Sequence, residues 1–315
     1  MLLAAAEMGS WQTFLQHCLI GLTNGSLFAL IALGYTMVYG IIGLINFAHG
    51  DLFMLGSFLA LTIVGAMLGQ TAGDSQGMVL VTIVAMLVAV PLFCAGLNVA
   101  VDRIVYRPLR NAPKLAPLVS TIGVSFIFMN IGLFWGGAAD INFPNLVPRR
   151  DLLGESGVHF TLKDFMVLAT TAPIMLALTL FVKFTRLGKA MRATEQSPLA
   201  AQLMGINVDR VIAATFAIGG ALAGAASVIY GLYINTISFQ MGFQNGLCAF
   251  TAAVLGGIGN IPGAVLGGLL IGLVRSLGSA YIGERWTSPL IFVILIGILV
   301  FRPSGLLGAR TRDKV

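Results

Sequence analysis

Apolar runs of about 20 residues recur along this chain, separated by short polar links, and this repetition limits the fold more than any other feature. A helix needs about 20 mostly apolar residues to cross about 30 Å of hydrocarbon. Such runs lie at roughly 14–42, 52–69, 78–102, 115–135, 165–184, 211–234, 246–282 and 287–302. They are continuous, not alternating, which favours helices over a barrel built from ~10-residue alternating strands. Charged residues make up 10% of the chain and hydrophobic residues 57%, whereas a soluble domain carries about 25% charge. The composition excludes a soluble protein. The expected fold is all-α: a polytopic membrane helical bundle of about 8 spans (8–10), with two interrupted segments. The longest hydrophilic stretch, 136–164, is too short for a core of its own. Residues 1–315 therefore read as a single transmembrane domain with a cytoplasmic loop at 185–208.

The net charge of +6 is sorted by loop. One cluster is Arg103, Arg107, Arg110 and Lys114; a second is Lys183, Arg186, Lys189, Arg192 and Arg210; a third is Arg302, Arg310, Arg312 and Lys314. Cytoplasmic loops carry the excess of Lys and Arg, so all three are expected inside, and 136–164 outside. The charge thus reports topology. It predicts membrane lipid as a neighbour and no nucleic acid. The even number of crossings required between the second and third clusters splits 246–282 into two elements, at Gly259-Asn-Ile-Pro-Gly263, where glycine and proline interrupt a helix. A single span at 14–42 places the N-terminus outside; two elements there would place it inside. No basic residue precedes the first apolar run, which argues against a cleaved secretory signal.

A similar interruption in the first half carries Asn46, His49 and Asp51; the second break carries Gly256, Gly257, Gly259 and Asn260. Interrupted segments in both halves point to a transport pathway, because irregular backbone at depth is tolerated where it lines a cavity or is buried in protein. Two readings stay open for His49 and Asp51: hydrated at the cytoplasmic interface and capping the helix from Leu52, or lining and gating a path. Asn46 either satisfies broken backbone or faces solute. Arg275 is expected to snorkel to the outer interface. Gly219, Gly220 and Gly224 suit close helix packing, within the chain or across a dimer. Cys18, Cys94 and Cys248 lie in apolar segments and read as buried thiols.

The chain shows no phosphate-binding P-loop, no His-Glu-x-x-His and no Cys/His metal pattern. No catalytic residue and no metal ligand are assigned. The 183–210 loop is the strongest positive signal. Ser197-Pro198 starts a short helix through Met204, which Gly205 ends before Ile206 leads into the next span. Leu199, Leu203 and Met204 would be exposed, either to insert into a partner's groove or to lie along the membrane as an amphipathic loop.

Three segments then carry a family resemblance: GYTMVYGIIGLINFAHGDLFMLGSF (34–58), GKAMRATEQSPLAAQLMGINVDRV (188–211) and FTAAVLGGIGNIPGAVLGG (250–268). Together they resemble the inner-membrane permease subunits of high-affinity branched-chain amino acid ABC importers, and most closely the smaller of the two. The resemblance runs from about residue 12 to the RPSGLLG segment. It implies a multi-pass protein of the bacterial inner membrane, paired with a second related permease, two cytoplasmic ATPase subunits and a periplasmic solute-binding protein. ATP and magnesium would be bound by the ATPase partners, with no cofactor on this chain. The segment Pro198, Leu199, Ala200, Ala201, Leu203, Met204, Gly205 and Ile206 resembles the loop that docks into the ATPase. It departs from the commonest form by carrying Leu199 where Glu is usual, which leaves a salt bridge to the ATPase in doubt.

The reading is a non-enzymatic permease for leucine, isoleucine and valine, working by alternating access driven from outside this chain. Related permeases move urea, short-chain amides or other amino acids, and the motifs do not separate those substrates. An ion-coupled secondary transporter would need an intramembrane carboxylate, for which Asp51 is thin support. A membrane-embedded enzyme using His49 is the third reading.

Overall fold

In lipid, backbone polar groups must be satisfied within the segment itself, so the apolar runs resolve into helices. The structure, a computed structural model, describes residues 10–69, 76–110, 112–113, 115–148, 150–154, 158–302 and 304–308. Lys114, Arg310, Arg312 and Lys314 of the basic clusters lie outside the described residues. The elements in order are α1 (Ser10–Ile42), α2 (His49–Leu68), α3 (Gln76–Val101), a π-helical turn (Asp102–Tyr106), α4 (Arg107–Leu109), α5 (Leu115–Gly136), β1 (Ile141–Asn142), α6 (Leu162–Phe184), α7 (Arg186–Gln196), α8 (Pro198–Leu203), α9 (Val208–Ile234), β2 (Thr236–Ile237), α10 (Met241–Gly256), α11 (Ile261–Tyr281) and α12 (Glu284–Phe301). Among the described residues, eight helices are long and apolar enough to cross a bilayer. The protein is a multi-pass, all-α membrane bundle. α10, at 16 residues, spans only about 24 Å.

The first apolar run is one helix, and the run 246–282 is two, as the sorted charges required. α1 and α9 form the centre. Leu30, Ile31 and Leu33 of α1 and Phe216, Ala226 and Val228 of α9 are fully or almost fully buried. α1 lies on α11 at backbone distance: a Cβ on Gly25 would sit 2.8 Å from the Cα of Leu269. α9 lies on α3 in the same way, Gly220 facing the Cys94 carbonyl and Gly224 facing Pro91. The small-residue spacing at 219–224 therefore serves packing within the chain. Leu80, Val84 and Leu92 of α3, Phe126 and Phe134 of α5, and Val293 and Val300 of α12 remain exposed, an apolar outer surface suited to lipid.

The two ends of the bundle differ in charge. At one end Arg107 pairs with Asp209 at 3.0 Å, Arg110 pairs with Asp102 at 3.1 Å and also with Asp209. This is the end at which the positive-inside rule expects the cytoplasm. At the other end β1 pairs with β2, and the loop before α6 folds over the start of α1. There the His159 backbone N–H donates to Gln16 at 2.7 Å and its carbonyl accepts from Gln16 at 3.0 Å. The His159 ring lies 2.5 Å from Asp151. That hydrogen bond holds the Asp151 carboxyl below its ordinary range, helped by the Leu153 and Phe160 amides. Thr161 and Asp164 close a capping box that starts α6.

Candidate functional site

α1 outruns the point where α2 begins. Gly43, at φ +68°, reverses the chain after Ile42, and residues 43–48 double back. His49 consequently packs against Gly34, about 12 Å inside the end of α1. His49 and Asp51 are 0% and 1% exposed, not hydrated at the interface. Neither caps α2, whose N-cap is Ala48 without a side-chain bond. The His49 ring meets Tyr35 edge-on at 4.7 Å, with the Ile31 carbonyl beside it but no well-formed hydrogen bond. Asp51 accepts from the Ser125 hydroxyl of α5, in the first turn of α2 where negative charge suits the helix dipole.

Asn46 holds the break itself. Its Nδ2 donates to Asn98 Oδ1 at 3.1 Å, and Asn98 donates to the Phe216 carbonyl at 2.7 Å. The Tyr106 hydroxyl donates to the Ile45 carbonyl at 2.9 Å. Asn46 follows neither of its two readings: it bonds the Asn98 side chain of α3, which in turn bonds the backbone of α9, and among the described residues its own Oδ1 is buried without a partner. α10 crosses the start of α2 so closely that a Cβ on Gly50 would lie 2.5 Å from the Gly242 carbonyl oxygen.

The second break stands apart from this cluster. Gly257 and Gly259 take φ +104° and +92°, and Asn260 caps α11 by accepting from Gly263 at 3.3 Å. Residues 304–308 close the turn from below. Leu306 N–H donates to the Leu255 carbonyl at 2.8 Å, Leu307 N–H to the Gly256 carbonyl at 3.0 Å, and Asn260 Nδ2 to the Leu307 carbonyl at 2.5 Å. Gly259 rests against Gly40 of α1, near Glu195 of α7. Burial of the Glu195 carboxyl pushes its pKa up, with Arg192 opposing. Asn46, His49 and Asp51 are therefore brought together, while Gly256, Gly257, Gly259 and Asn260 form a separate packed turn. Phe47 of the first break lines the cavity between α5 and α10, and Gly259 of the second lines a small space of about 40 Å³ beside Gly40 and Glu195.

Two cavities flank the crossing. An apolar one of about 460 Å³ opens between α5 and α10, walled by Phe47, Ile122, Phe126, Met129 and Phe243, with Ser125, Gln240 and Gln244 as its polar points. The other, about 300 Å³, lies toward the outer end and contains Arg275. Arg275 does not snorkel outward; it turns inward to Asn245 Oδ1 at 3.3 Å, its plane 5.4 Å from the Phe28 ring. Sequence reasoning passed over Tyr35, Asn98, Ser125 and Asn245. Their signal was present as polar side chains inside apolar runs.

The 185–208 loop is built as two capped helices. Thr185 caps α7, accepting from Gly188 at 3.0 Å, and Met191 anchors it in the core. Ser197 caps α8, accepting from Ala200 at 3.3 Å, with Pro198 in the first turn. Gly205 at φ +80° ends it, Ile206 N–H donating to Ala201 at 3.0 Å, and Asn207 caps α9, accepting from Arg210 at 3.0 Å. Ala201 is buried at 4%, so α8 is fixed on one side. On its free side Leu199, Leu203 and Met204 are 69%, 81% and 82% exposed. Three apolar side chains held out from a rigid, capped helix form a patch of the kind that marks an interface.

The family model described as the permease component of the branched-chain amino acid transport system matches residues 18–299. The chain belongs to this permease family. The permease is 41% identical over 305 residues to the high-affinity branched-chain amino acid transport system permease protein LivH of Escherichia coli (strain K12), covering 96% of this chain and 98% of that protein. It is 41% identical, with the same coverage, to the corresponding protein BraD of Pseudomonas aeruginosa. A more distant relative is the autoinducer 2 import system permease LsrC of Salmonella paratyphi B, 29% identical over 60% of the permease and 55% of that protein.

Proposed function

We propose that this permease is a transmembrane subunit of an ABC importer that carries leucine, isoleucine and valine across the bacterial inner membrane. The single observation that carries the energetic half of this reading is α8: an apolar patch of Leu199, Leu203 and Met204 on the arginine-rich end of the bundle. Burying such side chains in a partner contributes about 1.5–3 kcal/mol each. α8 docks in a groove of a cytoplasmic ATPase, which binds ATP and magnesium; this chain does no covalent chemistry. Because α8 is capped at both ends and joined to α9 by the short turn 204–207, which Ile206 N–H ties to the Ala201 carbonyl, displacement of α8 is passed to the bundle. ATP shifts the population of outward and inward states by stabilising one over the other. A second, related permease faces the α5–α10 side, and the passage runs between the two subunits past Ser125, Gln240 and Gln244. A periplasmic binding protein supplies the affinity.

The identity to LivH and BraD supports the branched-chain substrate over urea, amides or autoinducer 2, since LsrC matches more weakly and over less of the chain. The test is reconstitution of the permease with its partner permease and ATPases in proteoliposomes. Leucine uptake that requires both ATP and the binding protein is expected. Uptake by this chain alone, or labelling of a Ser197→Cys variant only from the periplasmic side, would overturn the reading.

A further inference from the structure

Arg275 is a part-buried guanidinium that makes no salt bridge among the described residues, although Glu284 lines the same cavity. Among the described residues its bonding partners are Asn245 Oδ1 at 3.3 Å and the Cys248 sulfur at 3.7 Å. Both contacts are long, while a guanidinium offers five N–H donors. Charges withdrawn from water are ordinarily paired, because unpaired burial is costly. The arginine is aimed into the outer cavity of about 300 Å³, the lower end of the range for small-molecule pockets. The cavity is enclosed by α1, α9, α10, α11 and the start of α12, so it lies inside one subunit. Its other wall is apolar, from Ile20, Leu27 and Phe28. Glu284, an exposed residue that accepts from the Ser279 hydroxyl, and Asn24 also line the cavity.

We propose that this cavity is a transit site for a free α-amino acid, Arg275 taking its carboxylate, Glu284 its ammonium, and Ile20, Leu27 and Phe28 its aliphatic side chain. The arrangement rests on the importer reading above and adds to it a first stop inside one permease, ahead of the passage between the two subunits. It also supplies a filter. Urea and neutral amides bring no anion, so in the cavity they leave the guanidinium as unpaired as before. A protonated carboxylate or a carboxamide would lose the charge-assisted, two-pronged bond that Arg makes with an anion. Affinity is kept low by the two protein contacts that compete for the same donors, which suits a site that must release its cargo.

The experiment uses the assembled importer in nanodiscs, without the binding protein, and equilibrium binding of radiolabelled leucine. Saturable binding is expected, competed by unlabelled leucine and valine and at least about tenfold less well by leucinamide, which keeps the side chain and ammonium but lacks the anion. Arg275→Gln is expected to lower binding at least about tenfold, and Arg275→Lys to restore part of it. The competition arm uses the unaltered protein and so stands even if a variant misfolds. Absence of leucine binding to the unaltered complex, equal competition by leucinamide, or wild-type binding by a folded Arg275→Gln complex would overturn the proposal. If Arg275→Gln abolished capture of the binding protein while leaving leucine binding intact, Arg275 would be a protein contact and the transit site would fall. Leucine uptake by the unaltered importer is measured in parallel: uptake without site binding sinks this inference alone, and absence of leucine uptake sinks the importer reading beneath it.

Discussion

Placing a charge on the exposed face of α8 should uncouple the permease without unfolding it. Leu203 is 81% exposed, so Leu203→Glu removes almost nothing from the subunit's own packing. The cost falls on docking. Losing the burial of a leucine forfeits about 2 kcal/mol, and forcing a carboxylate against an apolar groove adds about 2 kcal/mol more. The total of about 4 kcal/mol corresponds to close to a thousandfold weaker association. The assay is titration of purified ATPase subunits onto the permease pair in nanodiscs, followed by binding-protein-dependent uptake. Gln196→Glu, at the exposed last residue of α7 just before the α8 cap, adds the same charge to the same loop off the apolar face and should change affinity less than about threefold. Equal ATPase affinity for the two variants would refute the claim that apolar insertion at α8 is the grip.

Other outcomes are equally specific. Gly205→Val places a β-branched residue at φ +80°; the strain of about 1–2 kcal/mol should reorient α8 and reduce uptake while membrane insertion, checked by protease protection, stays normal. Asn98→Leu removes bonds of 3.1 and 2.7 Å and leaves the Asn46 amide without its partner; thermal unfolding in detergent should register a loss of about 2–4 kcal/mol, and an unchanged midpoint would contradict the role given to Asn98. The outer loop should loosen only in acid. The Asp151 carboxyl is held below its ordinary value by its hydrogen bond to His159, so its contribution is full above the unfolded carboxylate pKa of about 4 and fades as pH falls through the lower folded value. Hydrogen exchange across 151–161 should therefore accelerate below about pH 4, and acceleration confined to higher pH would refute the assignment.

The helices, the break inside 246–282 and the capped α8 were legible in the sequence because each rests on local rules: run length, glycine and proline placement, and Ser197-Pro198 with Gly205. The depth of His49 and Asp51 was not. Their spacing after the first apolar run suits a hydrated interface, and only the overlap of α1 past the start of α2 brings His49 back beside Gly34. Arg275 misled for a related reason. Its distance along the helix fits an outward reach, but the direction is set by which face α10 covers, and Asn245 offers a partner from that neighbour. Asn98 was visible as a polar residue in a span, yet its partners Asn46 and Phe216 come from distant positions that no local pattern connects.

The clasp of residues 304–308 under α10 sets an order of events during biosynthesis. Among the described residues, the carbonyls of Leu255 and Gly256 and the Asn260 amide are bonded here by Leu306 and Leu307. Until that stretch leaves the ribosome, the turn between α10 and α11 stays unlatched, whatever else has already inserted. A chain stalled or cut before residue 304 should reach the bilayer with its spans in place yet with an open seam there.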